Sequence, residues 1–493
     1  MSLQFYNTLT KKKEVFKPIE GRKVGIYVCG ITAYDVCHVG HARSAVVFDV
    51  IVRYLKYGGY DVLYVKNFTD VDDKIIMKAK AEGKSISEIS EQHIAGHNND
   101  MDALGVARPH IAPKATEHID GMIRLISTLV DMKMAYEVNG DIYYDVGKFQ
   151  GYGKLSGRSL EDMMAGARVD INEKKRNPLD FALWKASKEG EPWWESPWGK
   201  GRPGWHIECS VMSRHYLGET FDIHGGGEDL VFPHHENEIA QSEGATLKPL
   251  AHYWIHNGFI KINSEKMSKS LSNTCTISDV LKNYHPEVFR FFILQSHYKS
   301  PVDFSAEAMA EARIGMDRFY STLKAIKDAL AGGGEFSGVS VEHLSAEEKN
   351  LTARLTALPV KFVEAMDDDF GTPKAIGQIF DAVRAVNAYM GEKMLSATGK
   401  GCFILDIAWR NIREIGSVLG LFLDDPDEYF RKDRDREAKK RNLDVGEIES
   451  LVGERWLARQ AKNWKRADEI RNILTAWKIV LKDTPSGTTW KVE

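Results

Sequence analysis

The sequence predicts an α/β protein: a Rossmann-like parallel-sheet domain with an insertion, then a helical bundle, then a small mixed α/β domain at the C-terminus. Three observations carry this. An apolar run, Val24–Val28, a helix-like stretch, Ala42–Tyr57, and a second β-rich run, Asp61–Asn67, fall within about 40 residues, the spacing of a parallel strand–helix–strand unit. From Ser305 to Asp425 the periodicity is helical throughout. After a charged stretch, Arg431–Arg441, come a helical segment near Val452–Ala476 and a hairpin pattern over Ile479–Trp490.

Each element has a local reason. The first half of the sheet domain is set at residues 1–120. Its strand Val24–Val28 leads into Cys29-Gly30, and His38-Val-Gly-His41 precedes the following helix. A strand, a glycine-containing loop and a helix start suit phosphate binding, because the first helical N–H groups lack partners and carry partial positive charge. Residues 121–200 read as an insertion. Asn139-Gly140 between alternating apolar residues signals a hairpin, and a loop crowded with Trp193, Trp194 and Trp198 leads out to Trp205. The second half of the sheet domain, 201–250, carries Cys209 and the polar run Asp222–Glu238. Residues 251–310 bring a strand into the loop Lys266-Met-Ser-Lys-Ser270. The bundle, 311–425, has a capping box at Ser345-x-x-Glu348 and an N-cap before an N1 proline at Thr372-Pro373; Gly332–Gly334 breaks two of its helices. Residues 426–493 form the last domain, whose hairpin turns at Pro485-Ser-Gly487.

The 493 residues imply about three domains. The 43% hydrophobic and 28% charged fractions are those of an ordinary soluble protein. A net charge of -4 excludes a whole-protein nucleic-acid footprint, so such a partner must meet a local patch. No apolar run near the N-terminus reads as a signal peptide and no window approaches a membrane span, so a cytoplasmic protein without a membrane partner is expected. The five cysteines, at 29, 37, 209, 275 and 402, are odd in number and scattered, without a Cys-x-x-Cys; this favours a reducing compartment, with metal binding or burial rather than disulfides.

Two constellations carry chemistry. His38 and His41 at a helix start can donate hydrogen bonds to phosphate oxygens, and Lys266 and Lys269 on a serine-rich loop can neutralise charge on a departing pyrophosphate. Taken singly, the histidines read equally as a metal half-site or caps, and the lysines as a solvated loop. Together, each after a strand, they indicate nucleotidyl transfer. The second constellation is Cys29, Cys209, His234 and Glu238. His234 and Glu238, four apart after Pro233, share one face of a helix start. The cysteines are remote from them, so spacing leaves open two merely buried thiols, and His235 or Glu236 as ligands instead.

The two motifs of the first constellation are signatures of the class I aminoacyl-tRNA synthetases, which the chain resembles: His38-Val-Gly-His41 stands for HIGH, and Lys266–Ser270 matches KMSKS residue for residue. More narrowly, it is similar to the cysteinyl-tRNA synthetase family along nearly its whole length. The matching segments are Tyr27-x-Cys29-Gly30, Asn67–Lys74 (NFTDVDDK), Arg202–Ser210 (RPGWHIECS), Phe232–Gln241 (FPHHENEIAQ), Asp369–Pro373 (DFGTP) and Asp483–Trp490. The chain departs at Ile31-Thr-Ala-Tyr34, where the family has Pro-Thr-Val-Tyr; this touches loop stiffness and no reacting group.

The resemblance implies that ATP activates L-cysteine to a cysteinyl-adenylate, with release of pyrophosphate, and that cysteine then passes to the 3′ end of cysteine tRNA. His38, His41, Lys266 and Lys269 would be catalytic, and Gly40, His38, His41, His224 and Lys269 would face ATP, His224 with the close backbone approach of three following glycines. Cys29, Cys209, His234 and Glu238 match the family's ligands for one Zn²⁺ per chain. Zinc favours thiolate, so it would select cysteine over serine without an editing domain. Thr69 and Trp205 would shape the amino-acid pocket and Asp229 would take the ammonium, although Asp229 reads equally as a residue complementing a helix dipole, and tryptophans are more often core. Mg²⁺ is implied with ATP. The partners would be ATP, L-cysteine and cysteine tRNA, for a monomer. From Leu451 to Glu493, nine Lys/Arg face five Asp/Glu, and Trp456, Trp464, Trp477 and Trp490 interleave with Arg459, Lys462, Lys465, Arg466 and Arg471. That composition suits unstacked RNA or a small domain's own core; the resemblance points to anticodon recognition. Two competitors stand beside this reading: the ATP-dependent cysteine:amino-sugar ligase of mycothiol biosynthesis, which lacks an anticodon domain, and a catalytically inactive zinc-containing RNA-binding relative. Cys37 matches no ligand and reads as packing.

Overall fold

Strand β1 (Lys23–Thr32) is the hub of the fold. It lies in a four-stranded sheet with β2 (Asp61–Thr69), β3 (Phe221–Gly227) and β4 (Ala251–Asn257), all parallel in the order β4-β3-β1-β2. In this computed structural model the described residues are 2–161, 163, 175–262, 265–266, 275–333, 336, 338–392, 399–484 and 487–492. Side chains alternate across a strand, so β1 serves two cores. Val24, Ile26 and Val28 pack with the crossover helix α1 (Val39–Tyr57) and the helical bundle, while Tyr27 and Cys29 pack with the insertion. A sheet buried on both faces is the rule for parallel strands. The fourth strand begins at Ala251, so the sheet runs past the boundary drawn at residue 250.

The insertion is a helix, Ile119–Asp131, and an antiparallel sheet of Ala135–Val138, Asp141–Tyr144, Phe181–Ala186 and Gly201–Pro203. Its hairpin turns at Asn139 and Gly140, both at positive φ (53° and 83°), as a two-residue loop requires. The strand Gly201–Pro203 returns the chain into α2 (Trp205–Leu217), and a wide turn, Val231–His235, leads into α3 (Glu236–Thr246).

The bundle comprises Ala306–Gly332, Ala346–Thr356, Leu358–Met366, Thr372–Glu392 and Gly399–Leu419. Ser345 and Glu348 form the expected capping box. Thr372 is the first residue of its helix rather than the cap, and its hydroxyl donates to Leu294 O instead (2.8 Å). A buried ion pair, Arg290–Asp49 (2.6 Å), with Arg290 also donating to Leu419 O, fixes the bundle to α1.

A linker helix, Pro426–Lys440, leads to two helices where one was expected over Val452–Ala476: Val445–Gln460 and Trp464–Ala476, separated at Lys462 with its φ of 56°. The hairpin pairs Ile479–Thr484 with Gly487–Val492; its expected turn residues Pro485 and Ser486 lie outside the described residues. This unit has a separate core, including Ile448, Val452, Ile470, Leu474 and Trp490. Among the described residues no helix is long and apolar enough to cross a membrane.

Candidate active site and metal centre

At the end of β1 the strand kinks. A Cβ on Gly30 would sit 1.5 Å from Asn67 O, so only glycine permits this approach, and Gly30 N donates to Asn67 Oδ1 (2.8 Å). The kink presents Cys29 to α2 and α3. Its Sγ lies 3.6 Å from Cys209 Sγ, 3.4 Å from His234 Nε2 and 3.3 Å from Glu238 Oε1, and His234 Nε2 is 3.0 Å from Glu238 Oε1. All four residues are buried, with their donor atoms within 4.8 Å of one another.

These spacings fit a tetrahedral metal. Bonds of about 2.3 Å to sulfur and about 2.0–2.1 Å to nitrogen or oxygen place two sulfurs about 3.8 Å apart, and sulfur and nitrogen about 3.5 Å apart. Electrostatics agree. Burial holds the Cys29 thiol well above its ordinary range. It pushes Cys209 the same way, but hydrogen bonds with Cys29 and His234 outweigh it and bring that thiol down to about 6. Burial likewise opposes charge on His234 and Glu238, yet the Glu238 carboxylate lifts His234 to about 10, while His224 and His234 pull Glu238 down to about 2. One thiolate and one carboxylate, balanced here by a proton on a histidine, make a pocket that a cation can occupy in that proton's place. A second set, Cys29, His224, His235 and Glu238, brings its donor atoms equally close, within 4.8 Å of one another, with one thiol instead of two, so His235 is also placed to act as a ligand. Glu236 does not join either set: it accepts from Leu155 N and Ser156 N of the insertion.

Several supporting residues were not singled out from the sequence. His206 Nδ1 lies 2.9 Å from His234 Nδ1, orienting that ring. Asn67 Oδ1 also meets Cys209 Sγ at 3.7 Å. His235 Nδ1 contacts His256 Nε2 (2.8 Å), whose Nδ1 contacts Thr8 Oγ1 (2.8 Å). Two of these were within reach of periodicity: His206 and Cys209 are three apart on α2, and Asn67 alternates with Thr69 on β2.

His224 is wholly buried, its Nε2 is 2.9 Å from Glu238 Oε2, and its ring stacks on Trp254 at 4.4 Å, so it supports the cluster. The following glycines likewise make room for the protein itself. A Cβ on Gly225 would meet Phe48 at 2.3 Å, and one on Gly226 would meet His235 at 2.8 Å.

The histidine motif caps α1. His38 Nδ1 accepts from Gly40 N (3.2 Å), His41 Nδ1 accepts from His38 N (3.3 Å), and the rings stack at 3.8 Å. The helix thus begins three residues earlier than the apolar pattern indicated. Val39 N donates to Cys275 O (3.0 Å) and Ile277 N to Cys37 O (3.1 Å). These bonds stitch the downstream end of the lysine–serine loop to the histidine segment. Lys269 and the rest of that loop, 267–274, lie outside the described residues; Lys266 ends a short strand paired with Ile260–Ile262.

Thr69 Oγ1 donates to the buried Glu208 Oε2 (2.6 Å), next to Cys209. Trp205 stacks on His234 at 4.2 Å and remains 38% exposed, forming a wall over the cluster. Asp229 is exposed and lines a cavity of about 590 Å³ together with Thr8, Phe232 and His256. Cys37 is buried, its Sγ 3.2 Å from His97 Nδ1, and burial pushes its thiol up to about 12.

A parallel sheet whose first strand ends at a buried thiol–imidazole–carboxylate cluster and leads into a helix capped by a histidine pair is the architecture of a class I aminoacyl-tRNA synthetase, and the chain belongs to that class: the family described as tRNA synthetases class I (C) catalytic domain matches residues 15–314, and the DALR domain matches 361–423. The chain is 54% identical over 493 residues to the cysteine–tRNA ligase of Geobacter metallireducens, and 53% identical over 495 residues to that of Geotalea daltonii, with 100% of each chain covered. Within the class it is a member of the cysteine–tRNA ligase family. The Mycobacterium tuberculosis methionyl-tRNA synthetase in complex with methionyl-adenylate shares the fold (TM-score 0.58, 16% identity, 81% of this chain and 90% of that chain).

Proposed function

We propose that the protein is a cysteine–tRNA ligase: the carboxylate of L-cysteine attacks the α-phosphorus of ATP, pyrophosphate leaves, and the 3′-terminal hydroxyl of cysteine tRNA then attacks the acyl carbon of the cysteinyl-adenylate with loss of AMP. The observation that carries this reading is the buried Cys29–Cys209–His234–Glu238 cluster at the strand end that leads into the His38–His41 cap. Those four side chains would hold one Zn²⁺, which when bound supplies a soft Lewis acid with a preference for sulfur over oxygen. Asp229 would receive the substrate ammonium, and Thr69 and Trp205 would bound the pocket. His38, His41 and the amide of Gly40 would hold phosphate oxygens, with Lys266 and Lys269 neutralising the departing pyrophosphate and Mg²⁺ accompanying ATP. Positioning and electrostatics do the work, with no covalent enzyme intermediate. Residues 426–493 would recognise the anticodon, and the enzyme would act as a cytoplasmic monomer.

Cysteine-dependent ATP–pyrophosphate exchange tests the reading. A metal-loaded sample without exchange overturns it. Charging of cysteine tRNA, rather than transfer of cysteine to an amino sugar, then separates it from the amino-sugar ligase.

A further inference from the structure

The face of β2 turned away from the metal cluster borders a second cavity, of about 110 Å³, between β2, α1 and the helix Ile86–Ala103. At about 30 Å³ per water it has room for about four water-sized groups, far too little for a nucleotide. Ala45, Phe68, Met101 and Val106 give it an apolar wall. Lys66, His97, Asn98 and Arg108 also line it.

The charges there do not balance. Asp102 engages the Arg108 guanidinium (2.7 Å). His97 meets the Cys37 thiol, and burial holds the imidazole down to about 3, so it is neutral at physiological pH. Among the described residues no carboxylate pairs with Lys66. Burial lowers its ammonium to about 8, opposed only by the thiols of Cys37 and Cys29. An ammonium in a partly apolar cavity without a counter-ion is costly, and an anion removes that cost.

We propose that this cavity binds a small organic monoanion, a carboxylate with a short apolar tail, held by the Lys66 ammonium and the Asn98 amide. One unpaired cation matches one negative charge, and the Ala45–Met101 wall accepts the tail. The site is independent of the proposed ligase reaction, although it is back to back with the metal cluster through the adjacent Asn67.

Thermal unfolding of the full chain, with saturating cysteine to fill the amino-acid pocket, provides the test. Titration with propionate is expected to raise Tm saturably. Propionamide, the neutral isostere, is expected to leave it unchanged. Lys66→Met removes an unpaired charge, so it is expected to raise the Tm of the unliganded protein while weakening propionate at least about tenfold. Ala112→Leu, at the exposed rim, keeps Lys66 but narrows the mouth, and should weaken propionate as well. An equal response to propionamide, no saturable response in the wild type, or an undiminished response in both variants overturns the proposal.

Discussion

Gly30 carries the tightest constraint at the residue scale. Its amide bonds the Asn67 side chain while its Cα touches the Asn67 backbone, and β1 shifts register between Val28 and Ile31. Gly30→Ala would force the two strands apart at Cys29. We expect a loss of about 3 kcal/mol or more, together with lost metal content in whatever folds, measured by thermal denaturation and metal analysis. Cys209→Ser removes the thiol that the cluster stabilises as thiolate; metal content and cysteine affinity should fall together, and unchanged metal would remove Cys209 from the ligand set. His206→Ala should weaken metal binding about tenfold or more by releasing the His234 ring, without altering a ligand. The residue types at these positions were legible in the sequence, but their meeting was not. Cys29 contacts Cys209 and His234 across 180 and 205 residues of chain, and no local pattern specifies such a contact; only the family resemblance singled out the four. The packing of His224 on Trp254 was not legible either, because histidine followed by glycines fits a nucleotide loop as well as a ring packed on a tryptophan.

Elements were legible where the signal is local. The β1–α1–β2 unit, the Asn139-Gly140 hairpin and the Ser345–Glu348 cap all follow from periodicity or turn chemistry. Errors fall at boundaries, where tertiary contacts decide: Thr372 gives its hydroxyl to Leu294, and the last helix pair breaks at Lys462 without a glycine or proline to announce it. The linker helix gives a prediction at this scale. Just before it, Asp424 accepts from His285 Nε2 and Lys432 Nζ (both 2.9 Å), and chiefly the His285 bond brings its carboxyl down to about 2. The folded value is depressed below the unfolded one, near about 4, so the stabilisation is fully present above that pH and is lost as pH falls toward 2. Asp424→Asn should cost about 1–2 kcal/mol at pH 7. Denaturant titrations at a series of pH values should show that gap narrowing below about pH 4.

For the whole molecule, the division of labour follows from how the cores are joined. One continuous core runs from the N-terminal hairpin at Phe5, through α1 and the bundle, to Tyr429 on the linker helix, so the sheet domain and bundle should unfold as one unit. Among the described residues the C-terminal unit shares no buried cluster with them. It is held to the linker helix by Ala438 in its core, by Arg434 over the Trp490 ring (4.0 Å) and by the Arg434–Glu449 pair (2.8 Å). Its tryptophans divide as composition alone could not decide: Trp490 is 5% exposed and belongs to the core, whereas Trp464 is 58% exposed and free to stack on an RNA base. A chain ending at Asn442 keeps the linker helix and removes the whole unit. Cysteine-dependent ATP–pyrophosphate exchange, whose proposed residues all lie at or before Lys269, should stay within about twofold of the full chain, while kcat/KM for tRNA charging should fall about a hundredfold, mostly through KM for tRNA. If exchange fell as far as charging, the tail would instead be supporting the adenylation site, and the separate cores would not correspond to separate tasks.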